Sequence, residues 1–466
     1  VSSPAPARPR PVHRAADLLA AYLPGSFYYS SARGVLLADG VHSHVRGASG
    51  ARAAAAAEAL EAAVLAGVAD PVVVGAIGFR PDSGSSLIVP AVVRRAQAPG
   101  DEDGAGSSAQ LARPISGSVD REMATGERAD REMAGDGRAA TSGGKVRGRS
   151  QVRDEELGAE SAAFRGGSGA KDAEALLRNN QSRWTVVPQP APEVYAESVR
   201  RAVELIGDGE LRKVVLARAL DLVGEQGVSV RKLLRELVVA DPAAHAFAVD
   251  VSAPGDPTPR TLVGASPELL VSRQGDVVTA NPLAGSRRRT GDPARDAQAI
   301  AELRVSEKDL AEHALVAAQV AEVLGRYCTE LEVPEKPEVI GTPTMWHLST
   351  RITGRVGPGG PSSLELAEAL HPTPAVCGVP VDLARDTIAR LEPVDRGYYA
   401  GLVGWTDLAG DGEWVVTIRC AEVSDRTARL FAGAGIVAGS DPAAELAETS
   451  AKFGTLLRAL GAEGVA

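Results

Sequence analysis

Residues 306–313 read SEKDLAEH and residues 440–452 read SDPAAELAETSAK. The first stretch gives Asp309 and Glu312, the second Glu445, Glu448 and Lys452. Carboxylates that recur at i, i+3 share one face of a helix, and Lys452, at i+4 from Glu448, joins that face. The apolar residues of the second stretch (Leu446, Phe453, Leu457, Leu460) point elsewhere, toward a core. Four carboxylates on two helices, with a lysine, suit a hard divalent cation beside an anionic ligand, because Mg²⁺ takes oxygen ligands and keeps waters that a substrate can displace. Taken alone, the same residues read as two solvated faces laced with charge pairs.

The remaining chain narrows the choice. It has 466 residues and a net charge of −10, with a pI near 5.4. That charge argues against broad electrostatic binding to nucleic acid or to an anionic membrane, so an anionic substrate must be met by local basic groups. Cys328, Cys377 and Cys420 are scattered and show no metal-ligand spacing, which excludes a disulfide scaffold or structural zinc and fits reduced thiols in a cytoplasmic protein. No apolar run has the length of a membrane span. The opening VSSPAPARPRPVHRAADLL lacks the apolar stretch of a secretory signal.

Residues 1–15 read as a disordered leader. From 16 to 98, strand signals (LLAAYL, FYYSS, GVLLADGV, PVVVGAIGF, SLIVPAVV) surround one Ala-rich helix, with Gly67 placed to cap it. Residues 99–180 are poor in bulky apolar side chains and repeat the pentapeptide DREMA at 120–124 and 130–134, the composition of a flexible insertion. Compact patterning resumes at Trp184. The helix opening at Ser306 is expected to bury positions 310, 314, 317, 321 and 324. The last helix is expected to start at Asp441-Pro442 and stop at Gly461. Many strands without βαβ regularity point to an α+β protein with mainly antiparallel sheet, a single domain over 16–466 interrupted at about 99–180.

Six further motifs accompany the acidic helices: LRKVVLAR (211–218), GASPELL (264–270), NPLAGSRR (281–288), HPTPAVCG (371–378), VTIRCAEV (416–423) and FAGAGIVAGSDP (431–442). In this order they closely resemble the chorismate-utilising enzymes, the family that includes anthranilate synthase component I, from about Tyr195 onward. FYYSSARGVLLADG and VVVGAIGFRP resemble the family's opening strands. The resemblance implies two large, mainly antiparallel sheets flanked by helices, and Mg²⁺ as cofactor.

It also implies roles. A strand lysine is most often a solvated edge residue, but a desolvated lysine can act as a base. In the family a lysine at the position of Lys213 marks members that add water. Glu268 is implied as the general acid for the departing C4 hydroxyl, which demands a partly desolvated, protonated carboxyl. Gly285 and Ser286 match the segment beside the substrate ring, and the arginines after them read as solvated charge. His347 matches a histidine close to substrate. Ala375, with Val376, would shape the pocket wall. Arg419 would hold the enolpyruvyl carboxylate, with the backbone of Gly433, Ala434 and Gly435 approaching the same anion. Lys452 would face the ring carboxylate. Glu312 and Glu448 are implied as direct metal ligands, with Asp309 and Glu445 acting through waters.

HPTPAVCG is closer to the isochorismate synthases of siderophore pathways than to salicylate synthases. The expected reaction is therefore the reversible conversion of chorismate to isochorismate. The product could feed a siderophore or menaquinone. The rivals are salicylate synthase, an ammonia-using relative, which Lys213 opposes, and a non-catalytic homologue acting as a binding protein. The expected protein is a monomer that takes chorismate, binds neither nucleic acid nor membrane, and has downstream pathway enzymes as its candidate protein partners.

Overall fold

The structure is a computed structural model that describes residues 13–97 and 184–463. The insertion and its DREMA repeat lie outside the described residues, as do residues 1–12 of the expected leader. Within that leader, His13 bridges Ala96 and the first helix, Ala15–Ala21, begins at once. LLAAYL therefore lies largely in a helix rather than a strand; Leu18 is its buried residue, while Tyr22 just beyond its end packs edge-on against Tyr28.

Among the described residues seventeen strands form one hydrogen-bonded network in which all the paired strands run antiparallel. One limb runs Thr329–Glu332, Ile352–Arg355, Val277–Asn281, Leu269–Gln274, Gly412–Val416, Leu402–Asp407, Val72–Ile77. The other runs Phe27–Ser31, His245–Asp250, Thr261–Ser266, Cys420–Ser424, Thr427–Ile436, Lys213–Gly224, the last flanked by Trp184–Gln189 and Gly378–Val379. The limbs are the two large sheets of the α+β expectation. Gly34–Val45 and Ser85–Ala96, each 12 residues long, join them, and their register shifts between Val41 and Ser43. An extra residue there bends the pair, so one ladder serves both sheets.

A separate small sheet, Leu283–Arg288 with Met345–Ser349 and Glu338–Gly341, carries Gly285, Ser286 and His347. The helices Pro293–Val305 and Glu307–Leu324 pack on it. Local sequence explains where these helices begin. The Ser306 hydroxyl accepts from the Asp309 N–H at 3.3 Å, and the Asp441 carboxylate accepts from the Ala444 N–H at 2.9 Å with Pro442 at the first turn. Each such cap contributes about 1 kcal/mol. Gly461 ends the C-terminal helix, Pro442–Leu460, at φ +65°, and Gly67 follows the helix Arg52–Leu65 at φ +80°; both are left-handed positions that a glycine fills without strain.

The faces of two helices differ from expectation. On Glu307–Leu324 the buried residues are Asp309, His313, Val316, Val320 and Leu324, and Ala314 is exposed. Of the expected seam only Leu324 is fully buried; 310, 317 and 321 are half-buried. The helix turns its polar residues inward because the small sheet and the Lys213 strand offer partners for them. On the C-terminal helix, Phe453 and Leu457 are buried as expected, Leu446 and Leu460 are half-buried, and Glu445 and Thr449 face inward. Burying a side chain the size of Phe453 contributes roughly 1.5–3 kcal/mol, which offsets the cost of seating Glu445 nearby. Among the described residues no helix is long and apolar enough to cross a membrane.

Candidate active site

Lys213 opens the strand Lys213–Gly224, which is central in its sheet, so the lysine has no solvated edge and is 0% exposed. Its Nζ lies 2.9 Å from Glu312 Oε1. This is an ion pair whose angles fall short of a hydrogen bond, and Nζ has no hydrogen-bond partner among the described residues. Glu268 sits between the strands Thr261–Ser266 and Leu269–Gln274 and is buried. Burial pushes its carboxyl up to about 7, against the opposing pull of the Leu283 N–H and of the charges of Lys213, Arg419 and Lys452. A carboxylic acid poised near neutrality therefore shares one group with a buried amine.

The small sheet adds a relay. Arg419 Nη2 lies 3.3 Å from His347 Nε2, and His347 Nδ1 lies 2.8 Å from Ser286 Oγ. Arginine only donates, so Nε2 accepts and Nδ1 carries the hydrogen. Burial, reinforced by Arg419 and Lys452, holds the imidazole well below its usual range, so His347 is neutral. Arg419 itself adopts φ +51°, a left-handed conformation that costs a non-glycine residue of order 1–3 kcal/mol and is found where a site dictates the backbone. Gly285, at φ +75°, marks the register shift between Ala284 and Ser286, and a Cβ there would approach Asp309 Cβ to 3.0 Å.

Gly433, Ala434 and Gly435 lie within the strand Thr427–Ile436, opposite Ala217, Leu216 and Val215. Their smallness makes room for side chains. A Cβ on Gly435 would stand 2.3 Å from Glu312 Oε1, and one on Gly433 would stand 2.9 Å from the Tyr399 hydroxyl. The Gly433 carbonyl accepts from Lys452 Nζ at 2.8 Å. Glu312 and Lys452, from two different helices, thus abut the same tripeptide. HPTPAVCG lies along the Lys213 strand: Gly378 pairs with Val214, and the Cys377 carbonyl accepts from the Val215 N–H at 2.8 Å. Ala375 is half-buried there; Val376 is buried in the main core, its carbonyl held by Arg396 at 2.7 Å.

Each of the four carboxylates meets one cation. Glu312 pairs with Lys213 at 2.9 Å, Glu448 with Lys452 at 2.6 Å, Glu445 with Lys308 at 2.8 Å and Asp309 with Arg287 at 2.7 Å. Burial raises the proton affinity of Glu445, and the charge of Glu448 raises it further, with Lys308 opposing. Burial acts the same way on Glu448, but Lys452, Lys308 and Arg419 outweigh it and hold that carboxyl below the usual range. The donors are hard oxygens of the kind a divalent cation takes, but among the described residues no group of three or more carboxylate, histidine or cysteine side chains is placed to hold a metal ion by itself.

Three of these residues were not legible as site residues. Arg287 pairs with Asp309 instead of standing in solvent, and Arg289 stacks on Trp346 at 4.8 Å. Lys308 sits inside SEKDLAEH, but its partner lies on the other helix. His313, at i+4 from Asp309 on the inward face, contacts the Thr350 hydroxyl at 2.6 Å, and burial holds it down to about 4. Its placement beside Glu312 was the available signal. A cavity of about 510 Å³ lies at the far end of the Lys213 strand, around Gly224, Lys232 and Arg458, and includes none of the acid–base group. Lys213, Glu268 and Arg419 lie elsewhere, so that cavity is not where the candidate residues meet.

This constellation, on paired antiparallel sheets, defines an acid–base enzyme site for a small carboxylate substrate. The family model described as chorismate binding enzyme matches residues 158–461, and the chain belongs to that family. Isochorismate synthase DhbC of Bacillus subtilis is 41% identical over 458 residues, covering 97% of this chain and 98% of the relative. Isochorismate synthase EntC of Escherichia coli K12 is 43% identical over 284 residues, covering 60% of this chain and 71% of the relative. The crystal structure of a Bacillus anthracis chain assigned as a 2,3-dihydroxybenzoate-specific isochorismate synthase, DhbC, superposes with a TM-score of 0.77 at 38% identity, covering 96% of this chain and all of that one.

Proposed function

We propose that this enzyme is a Mg²⁺-dependent isochorismate synthase that interconverts chorismate and isochorismate. The observation that carries the reading is a fully buried lysine, Lys213, whose charge is felt by the buried carboxyl of Glu268, an acid pushed up to about 7 by its burial. An allylic displacement needs one proton removed from water and one delivered to a poor leaving group, and these two residues supply both. Lys213 takes a proton from water as its oxygen bonds to C2. The ring double bond shifts, the C4–O bond breaks, and Glu268 protonates the departing oxygen. Arg419, oriented by neutral His347, binds the enolpyruvyl carboxylate, and Lys452 faces the ring carboxylate. For Lys213 to act, Glu312 must release it.

Glu312 and Glu448 would hold the metal, with Asp309 and Glu445 behind them. Bound Mg²⁺ would neutralise the ring carboxylate and fix its orientation. Glu312→Gln and Glu448→Gln, which keep a polar partner for Lys213 and Lys452, should each abolish Mg²⁺-dependent turnover of chorismate while circular dichroism stays that of the wild type. A chelator should stop the wild-type enzyme and excess Mg²⁺ restore it. Undiminished turnover in chelator would remove the metal from the account.

Gly435→Ala is a finer test. The new Cβ would meet no backbone but the end of the flexible Glu312 side chain, with Lys213 Cε also 3.1 Å away, so kcat at saturating Mg²⁺ must be read beside the Mg²⁺ requirement. The fold should survive with a stability change of about 1 kcal/mol or less. The displaced carboxylate should raise the Mg²⁺ concentration for half-maximal activity by roughly 10–100-fold, as loss of a ligand-orienting contact does. An unchanged Mg²⁺ requirement would show that Glu312 does not hold the ion.

A further inference from the structure

The motif LRKVVLAR ends on Arg218, which the acid–base chemistry leaves unused. Arg218 is 5% exposed, and among the described residues its guanidinium has no carboxylate partner. A buried charge without a counter-ion is costly unless other groups satisfy it. The C-terminal helix, Pro442–Leu460, supplies those groups. Nε donates to Thr449 Oγ1 at 2.8 Å, and Nη2 donates to Ser450 Oγ at 2.6 Å and reaches the Leu446 carbonyl at 3.5 Å. Cζ also lies over the Phe453 ring, 5.0 Å from its centre, and 5.9 Å from the centre of the Tyr195 ring. One side chain of the Lys213 strand thus grips about two turns of the helix that carries Lys452.

We propose that Arg218 is a positioning residue: it sets the roll of the C-terminal helix about its own axis and so places Lys452, without itself touching substrate. This rests on the reading above, in which Lys452 faces the ring carboxylate. Apolar contacts are non-directional, so the seating of Phe453, Leu456 and Leu457 in the core holds the helix on the sheet but tolerates roll. Hydrogen bonds are directional, and those of Arg218 come from a strand paired along its length with Thr427–Ile436. The same two strands carry the site. Arg218 pairs opposite Ala432, and the next residue, Gly433, accepts from Lys452 Nζ at 2.8 Å. Positions 213 and 218 fall on opposite faces of their strand, so Arg218 ties the helix down from the face away from the base. Lys452 Nζ ends a long stem, so a small roll of the helix becomes a large displacement of the ammonium. A misplacement of about 1 Å in a site can cost on the order of 10²-fold.

The test is steady-state kinetics with chorismate, beside melting temperatures, for wild type, Lys452→Met, Arg218→Met, their double variant and Arg218→Lys. Arg218→Met should fold. The Thr449 and Ser450 hydroxyls both donate to the Leu446 carbonyl, at 2.8 and 3.0 Å, so neither is stranded, and methionine packs well against aromatic rings. Its melting temperature should equal or exceed that of the wild type, because a buried charge without a counter-ion is gone. KM for chorismate should nonetheless rise roughly 5–50-fold, with kcat changed far less. Lys452→Met should raise KM roughly 10–100-fold. The double variant should be no worse than Lys452→Met alone, since both residues act through one contact. Arg218→Lys, which can still reach one hydroxyl, should bring KM part of the way back. A wild-type KM in folded Arg218→Met, or losses that multiply in the double variant, overturns the proposal. Should Arg218→Met not fold, Ser450→Ala carries the test from an exposed position: KM should rise severalfold, and an unchanged KM overturns the proposal. If Lys452→Met keeps the wild-type KM, the reading of Lys452 fails first.

Discussion

Lys213→Gln should lower kcat by roughly 10²–10⁴-fold, the usual contribution of a positioned acid or base. Glutamine keeps most of the length and can still donate to Glu312, so the buried carboxylate is not stranded and the fold should be retained. Lys213→Ala would confuse the result. It would leave Glu312 without the partner 2.9 Å away and open a cavity at a site with no exposure, and breaking a buried pair costs about 3–5 kcal/mol on its own. If Lys213 merely anchored a substrate carboxylate, Lys213→Gln would raise KM and spare kcat. Steady-state kinetics on a variant with wild-type melting behaviour decides between them.

Glu268→Gln should produce two opposite effects. Turnover should fall by a similar roughly 10²–10⁴-fold, because the amide cannot deliver a proton to the departing C4 oxygen. Stability should rise, and only in one pH range. The folded-state pKa of about 7 exceeds the ordinary glutamate value, so between that value and 7 the folded protein holds a proton that the unfolded chain has lost. Folding stability therefore declines as pH rises through that window, and the full penalty, about 3 kcal/mol, is present above it. Glutamine carries no charge to desolvate. Its advantage should appear as a higher melting temperature at pH 8 and vanish at pH 4. The kcat/KM of the wild type should likewise fall above pH 7 as the acid loses its proton. Equal melting temperatures of the two proteins at pH 8 would mean that Glu268 is not desolvated as the structure has it.

The elements that local chemistry defines were legible from residues alone. Asp441-Pro442 and Gly461 bound the last helix, Ser306 caps Glu307–Leu324, and the strand runs carry their alternation or their continuous apolar character. LLAAYL was not legible, because six mostly apolar residues suit a short helix or a strand and only the packing of Leu18 and Tyr22 decides. The inward face of Glu307–Leu324 was misjudged for a related reason. Periodicity finds apolar stripes, but this helix buries Asp309 and His313 against polar partners from distant strands. The site divides the same way. Lys213, Glu268, Arg419 and the four carboxylates could be singled out as candidates because they sit in motifs with a recognisable order. Lys308 and Arg287 meet partners far off in sequence, a pairing with no local signature, and His313 offered only its place beside Glu312 on the helix. The GAG tripeptide was found for one reason and serves another: its missing side chains leave room for Glu312 and Tyr399, and it offers Lys452 a carbonyl.

The central claim is that water adds at C2 of chorismate while the C4 hydroxyl departs. Purified enzyme, Mg²⁺ and chorismate should be mixed in ¹⁸O-water, and the first-formed product analysed by chromatography and mass spectrometry. Isochorismate carrying one ¹⁸O at C2 should accumulate toward an equilibrium with chorismate, with no amino product when ammonium is added. Unlabelled isochorismate would contradict the addition of water, and steady release of pyruvate with salicylate would contradict isochorismate as the end product.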